Sequence, residues 1–265
     1  MSTKHVFDDA TGLVEKACLG VASTNPDLRF FAHHKVLYNA AHPRDKVAIL
    51  AGGGAGHEPA FSGLVGSGLV TVAVSGDVFA SPSSKQICSG VDLAPTDKGI
   101  VTIVLNYTGD CLNFGLASEK ARSAFHSEGK GRDIEMVNVG DDVSVGRSKG
   151  GLVGRRGLTG AAFTAKVLGA ASEKGDDVQK IAHLGRTMVK NFVTVGSSLD
   201  HCHVPGRSTD PKERGALSQS AVEIGMGIHN EPGAKHIENK PSGEDLIKEM
   251  LELLLREDDP ERSFV

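Results

Sequence analysis

Three side chains in this sequence have the types and settings to do chemistry together: His57, Asp110 and His229. His57 closes the stretch KVAILAGGGAGHEP, Lys46 to Pro59, where an apolar run empties into glycines and ends on a titratable ring. The same order returns in GMGIHNEPG, residues 225–233, where His229 stands between glycines and again precedes a Glu-Pro pair. Asp110 follows Gly109, a few residues past the apolar run GIVTIVL of residues 99–105. An Asp and a His brought together can serve as base and proton-relay partner on a hydroxyl. A His with free approach can form a covalent intermediate with a carbonyl compound.

Each residue also has a plainer reading. His57 and His229 could be structural rings with satisfied hydrogen bonds, and Asp110 could be the N-cap of a helix starting near Leu112. The settings favour chemistry. Pro59 pushes Glu58 out of the α region, so the His57 ring stands at a fixed break in the chain. Glycines around His229 let a ligand approach bare backbone, and ligands of open α/β sheets gather at the carboxyl ends of the strands.

The glycines before His57 do not fit a nucleotide loop. His57-Glu58-Pro59 occupies the place where a Walker A motif needs Gly-Lys-Ser/Thr, and Gly52, Gly54 and His57 break Gly-x-Gly-x-x-Gly at its last glycine. The backbone of Gly54, Ala55 and Gly56 is better suited to a small polar ligand meeting N–H groups directly. Asp200-His201-Cys202-His203 reads as a polar turn, since three ligating side chains in succession do not easily close a tetrahedral site. No metal site is expected. Arg147, Lys149, Arg155 and Arg156 could meet an anion or simply form a solvated loop.

The elements that must hold these residues alternate. A helix is expected over residues 7–22, with strands at Val36–Tyr38 and Val47–Leu50. Residues 60–68 have helical spacing, and Leu69–Val74 returns as a strand before a loop at 76–82. A helix from Ser83, the continuously apolar strand 99–105, a helix over 112–124 and a strand at Ile134–Val139 follow. This order predicts an α/β fold with a mainly parallel, doubly wound sheet and helices on both faces. Helices over 158–174 and 177–190, a strand at Phe192–Ser197 and another at 222–228 come next. A final helix is opened by Ser242, with Ile247, Met250, Leu251, Leu254 and Leu255 expected to face inward. An α/β subdomain is expected over 1–180, and residues 181–265 are expected to belong to a second α/β subdomain.

Composition excludes several classes. The 265 residues carry 29 basic and 33 acidic side chains, with no basic face to recruit nucleic acid or an acidic membrane. No apolar run approaches the ~20 residues of a membrane span, and no leader peptide is visible. The four cysteines lack Cys-x-x-Cys spacing and are expected to be reduced thiols in a cytoplasmic protein.

Five blocks in order, GGGAGHEPAFSGLVGSGLVTVAVSGDVFASPS, NYTGDCLNFGLASEKAR, GRRGLTG, CHVPG and EIGMGIHNEPG, resemble the substrate-binding K-type domain of the dihydroxyacetone (glycerone) kinases. The style is closest to the fungal single-chain enzymes. The resemblance implies phosphorylation of dihydroxyacetone, or glyceraldehyde, with the substrate held as a hemiaminal on His229. It implies Asp110 as the base on the hydroxyl and His57 as hydrogen-bonding partner, with Gly54, Ala55 and Gly56 lining the pocket. Many relatives carry Lys before NYTGD, where Leu105 stands here, so a substrate contact at Leu105 is expected to differ. The resemblance further implies ATP and Mg2+ bound by an L-type domain absent from these residues, a C-terminally truncated K-type domain inactive alone, and a homodimer at full length. The alternative is a non-catalytic ketone-binding or regulatory module.

Overall fold

The computed structural model describes residues 4–129, 131–146, 154–210, 212 and 215–262. Its frame is a six-stranded sheet of β1 (Leu28–Phe31), β2 (Val36–Asn39), β3 (Ala48–Ala55), β4 (Val72–Val78), β5 (Ile100–Leu105) and β6 (Ile134–Val139), in the spatial order β1-β2-β4-β3-β5-β6. Strands β4, β3, β5 and β6 run parallel, while β1 and β2 add an antiparallel edge. All six residues of β5 are buried, as a β-branched central strand covered on both faces requires.

Alternate side chains feed two cores. Ile49, Val101 and Ile103 pack with Leu168 and Ile181 of α4 (Gly160–Glu173) and α5 (Val178–Met188). Leu50, Ile100 and Val104 pack with Ile87 and Phe114 of α2 (Ser84–Leu93) and α3 (Thr108–Glu128) on the other face. Burying each such large side chain contributes roughly 1.5–3 kcal/mol. The expected mainly parallel sheet with helices on both faces is therefore present. Helix α1 (Leu13–Ser23) packs through Val14 and Cys18 against Ala55 at the end of β3.

Several local expectations change. Strand β3 does not stop at Leu50 but runs through the glycines to Ala55, pairing Gly52 with Val74 and Val104. A Cβ at Gly52 would strike the Val74 carbonyl, so the glycine is a close-approach position inside a strand. Residues 60–68 form only a single 3-10 turn, Ser62–Leu64, because Gly63, Gly66 and Gly68 make a continuous helix costly. Strand β4 continues to Val78 through the expected loop. Helix α1 starts at Leu13 rather than residue 7, after Gly12 in the left-handed region.

The strand expected at Phe192–Ser197 is reduced to a bridge from Thr194 to Asp142 and the short β7 (Ser197–Ser198). Together with β8 (Val222–Ile224) and β9 (Lys235–Ile237), β7 forms a small antiparallel sheet. The last helix, α6 (Gly243–Leu255), is capped as expected by Ser242, whose Oγ accepts from the Asp245 N–H at 3.1 Å. Its apolar stripe is only partly covered: Ile247, Leu251 and Leu255 are exposed, Met250 and Leu254 are half-buried, and no residue of the helix is fully buried. The Lys235–Glu249 ion pair ties α6 to β9. No described helix is long and apolar enough to cross a membrane, and the four cysteines are free.

Candidate active site

The four parallel strands deliver their functional side chains to one edge. Beyond the carboxyl end of β3 comes His57, beyond β4 Phe79, beyond β5 Tyr107 and Asp110, and beyond β6 Asp141 and Asp142. The loop between β8 and β9 brings His229 and Glu231 to the same place.

The two histidines touch, with Nε2 of His57 3.1 Å from Nε2 of His229. Behind His229, Glu231 holds both the ring and the main chain: Oε1 lies 2.9 Å from Nδ1, and Oε2 accepts the His229 backbone N–H at 2.9 Å. A ring nitrogen against a carboxylate carries the proton, so neutral His229 is protonated at Nδ1 and its Nε2 lone pair faces His57. Burial pushes the Glu231 carboxyl up, but the two hydrogen bonds from His229 outweigh it and bring the carboxyl down to about 2. Burial, helped by the neighbouring His229, lowers His57 to about 4, which keeps its ring neutral. Gly227 makes the Glu231 placement possible, since a Cβ there would run into the Glu231 carboxylate and the Arg156 guanidinium.

Two aromatic rings complete the setting, and nothing in the spacing of the sequence singled them out. Phe79, in the left-handed region with φ 58°, stacks on His57 at 5.1 Å and meets His229 edge-on at 5.5 Å. Tyr107 meets His229 edge-on at 4.9 Å. Its hydroxyl is buried without a hydrogen-bond partner among the described residues, and burial raises its pKa. The one available signal was that both aromatics sit within a few residues of strand ends.

Asp110 is not the N-cap of its helix. Tyr107 takes that position, and Asp110 lies in the first turn of α3, where the helix dipole favours a negative charge. It is buried, and one carboxylate oxygen, Oδ1, has no hydrogen-bond partner among the described residues. Burial raises its pKa, while a hydrogen bond with Ser81 and the nearby His229 act in the opposite direction. The carboxylate faces the bare Cα of Gly53, where an added Cβ would lie 3.9 and 4.0 Å from its oxygens. A basic oxygen thus stands at the same strand edge as the paired histidines.

The Dak1 domain model matches residues 19–264. The chain belongs to the Dak1 domain family. It is 43% identical over 275 residues to a dihydroxyacetone kinase of Pichia angusta, covering 100% of this chain and 44% of that protein. The native dihydroxyacetone kinase of C. freundii superposes with a TM-score of 0.82 at 33% identity, over 95% of this chain and 45% of that one. A dihydroxyacetone kinase operon co-activator, Dha-DhaQ, matches with a TM-score of 0.78 at 30% identity, over 90% of this chain and 70% of that one. The Dak1 domain chain described here therefore spans less than half the length of the kinases it matches.

Within this Dak1 domain the other expected site residues fall in different places. A cavity of about 500 Å³ opens beside His57 and is lined by Gly56, Leu105, Ile228 and Asn230. Ala55 lines a neighbouring cavity with Phe79 and Val204, and Gly54 packs against the Ala80 backbone. Asp110 borders neither cavity.

The basic stretch serves the interior. Arg156 donates from Nε to Asp142 Oδ2 at 2.7 Å and from Nη2 to the Gly225 carbonyl at 2.7 Å. Asp142 is fully buried, and its ion pair with Arg156 ties the His229 loop to the end of β6. Asp141 accepts from the Leu158 and Gly160 N–H groups at 2.7 and 2.8 Å and so caps the start of α4. Arg155 donates to the carbonyls of Val145, Glu261 and Arg262. Arg147 and Lys149 lie outside the described residues. The Asp200–His203 segment is irregular and polar, with the turn following at Val204–Arg207: Asp200 accepts from the His201 and Leu217 N–H groups, and Cys202 exchanges two hydrogen bonds with Asn230. Among the described residues no group of three or more His, Cys, Asp or Glu could hold a metal ion.

Proposed function

We propose that this Dak1 domain captures the carbonyl carbon of dihydroxyacetone, or of glyceraldehyde, on His229 and prepares a substrate hydroxyl at Asp110 for phosphorylation. The observation that carries this reading is the His57–His229–Glu231 chain, which leaves an Nε2 lone pair on His229 directed at the neutral ring of His57. Nε2 attacks the carbonyl carbon, the C=O π pair moves to oxygen, and that oxygen takes a proton from solvent. The substituted ring then carries a positive charge, countered by the Glu231 carboxylate. His57 donates its Nε2–H to the new hydroxyl, and Asp110 accepts the proton of the hydroxyl to be phosphorylated. A carbonyl-specific bond also rejects glycerol, which a small polar ligand's few contacts could not do alone.

ATP and Mg2+ are the expected donor system, and the C. freundii enzyme has been crystallised with AMP-PNP and Mg2+. The described residues do not fit them: they hold no metal-binding cluster, and β3 carries its glycines within the strand. In this reading the donor is held by a separate L-type domain, as the resemblance to the kinases implies, and the residues here account for capture and proton removal only.

Native mass spectrometry with dihydroxyacetone tests the reading. One added ketone mass is expected on the wild-type chain and none on His229→Asn; an adduct that survives His229→Asn overturns it. The similarity to the co-activator favours a second reading, a ketone-sensing module without catalysis. Supplying an L-type domain separates the two, since turnover that is lost in Asp110→Asn, with the adduct kept, supports the kinase.

A further inference from the structure

The cavity beside His57 is larger than a three-carbon polyol needs, and although Thr159, Ser197, Ser198 and Asp200 line one part of it, the wall at Leu105 is apolar. The cavity volume is about 500 Å³, and the lining includes Phe61, Leu64, Leu105, Leu158, Ala161 and Ile228. Dihydroxyacetone has six heavy atoms, which even at the ~30 Å³ of a liquid water molecule each would fill no more than about 180 Å³. Phe61, Leu105 and Ala161 are buried and belong to the core beneath the sheet edge, so this wall is fixed by packing. Their side chains offer no hydrogen-bonding group, and a hydroxymethyl arm laid against them would lose its water without gaining a partner.

The cavity opens on His57 of the reactive pair, while His229 itself borders a neighbouring cavity with Phe79 and Cys202. His57 lines the first, with Nε2 3.1 Å from His229 Nε2, and the residues flanking His229, Ile228 and Asn230, line it too. Asp110 stands apart, facing Gly53. Because the His229 ring touches His57, a ketone bonded at His229 can place a hydroxymethyl arm toward the carboxylate and extend its second arm past His57 toward Leu105. We propose that this site accepts hydroxymethyl ketones whose second arm is an aliphatic chain of several carbons, with Leu105 and its apolar neighbours determining that preference. The proposal rests on the reading of His229 as the ketone-capturing residue.

The test is a calorimetric titration of the 265-residue chain with hydroxymethyl ketones whose second arm lengthens from methyl to butyl, with dihydroxyacetone as reference. Binding is expected to tighten roughly fourfold per added methylene as each is buried. Ala162 is exposed at the cavity edge, and Ala162→Phe is expected to fill the space and remove the gain with length. Dihydroxyacetone binding with flat or falling affinity along the series overturns the arm assignment alone. Failure of every ketone, dihydroxyacetone included, overturns the capture reading and this proposal with it.

Discussion

The two halves of the site are held by different forces. His57 and Asp110 issue from a parallel sheet whose central strand is buried throughout, so their positions follow from hydrophobic packing on both faces. His229 sits on a loop beside strands of two and three residues, and what fixes it is polar: Glu231, the Gly225 carbonyl and the Arg156–Asp142 pair. Packing is non-directional and spreads over many contacts, whereas a buried ion pair depends on each partner. A core defect should therefore weaken the whole domain and spare the geometry. A defect in the tie should displace His229.

The largest effect is expected for Arg156→Ala, which leaves the Asp142 carboxylate buried and unpaired. Chemical denaturation should show a loss of about 3–5 kcal/mol, and the ketone adduct should disappear; retention of the adduct would mean the loop is held in some other way. Leu168→Ala attacks the other half. It should cost about 2–5 kcal/mol, yet adduct formation measured well below the melting temperature should match wild type.

The pH dependence reads both halves together. His57 is held at about 4 against an ordinary 6.5, so below pH 6.5 the unfolded chain gains a proton that the folded one does not. Stability should fall from pH 6.5 to about 4, on the order of 3 kcal/mol in full. Glu231, lowered from 4.5 to about 2, contributes stability above pH 4.5 that is lost as pH falls toward 2. Asp110, raised by burial, works the other way: its destabilisation is relieved as the carboxyl becomes protonated. Melting temperatures across pH 4–7 should flatten in His57→Asn, and an unchanged slope would contradict the assignment.

The contrast also explains what the sequence made legible. Strands β5 and β6 and helices α2 to α5 are readable because their apolar spacing is local and the packing reinforces it. The course of β3 through Gly52 is not, because glycine weakens a strand signal and the close approach to Val74 exists only once the sheet is formed. His57, Asp110 and His229 stand out by their glycine settings. Glu231 appeared only as part of the Glu-Pro pair that follows each histidine, and its bond to the His229 ring needs the turn's geometry. The Asp142–Arg156 tie spans a loop whose basic residues read equally well as solvent-facing. The partial exposure of the α6 stripe follows from its surroundings, which periodicity does not report.

The smallest effect should come from a cap far from the tie. Ser83 and Gln86 form a reciprocal capping box at the start of α2, and Ser83→Ala should lower stability by about 1 kcal/mol without altering the adduct.

The central claim, that the two halves meet to make a covalent ketone site, is tested most directly by carbon NMR of dihydroxyacetone labelled with carbon-13 at its keto carbon. With the wild-type chain the bound carbon should leave the carbonyl region for that of a tetrahedral carbon bearing oxygen and nitrogen, and His229→Asn should abolish that signal. A bound ketone whose carbon stays in the carbonyl region would contradict the account.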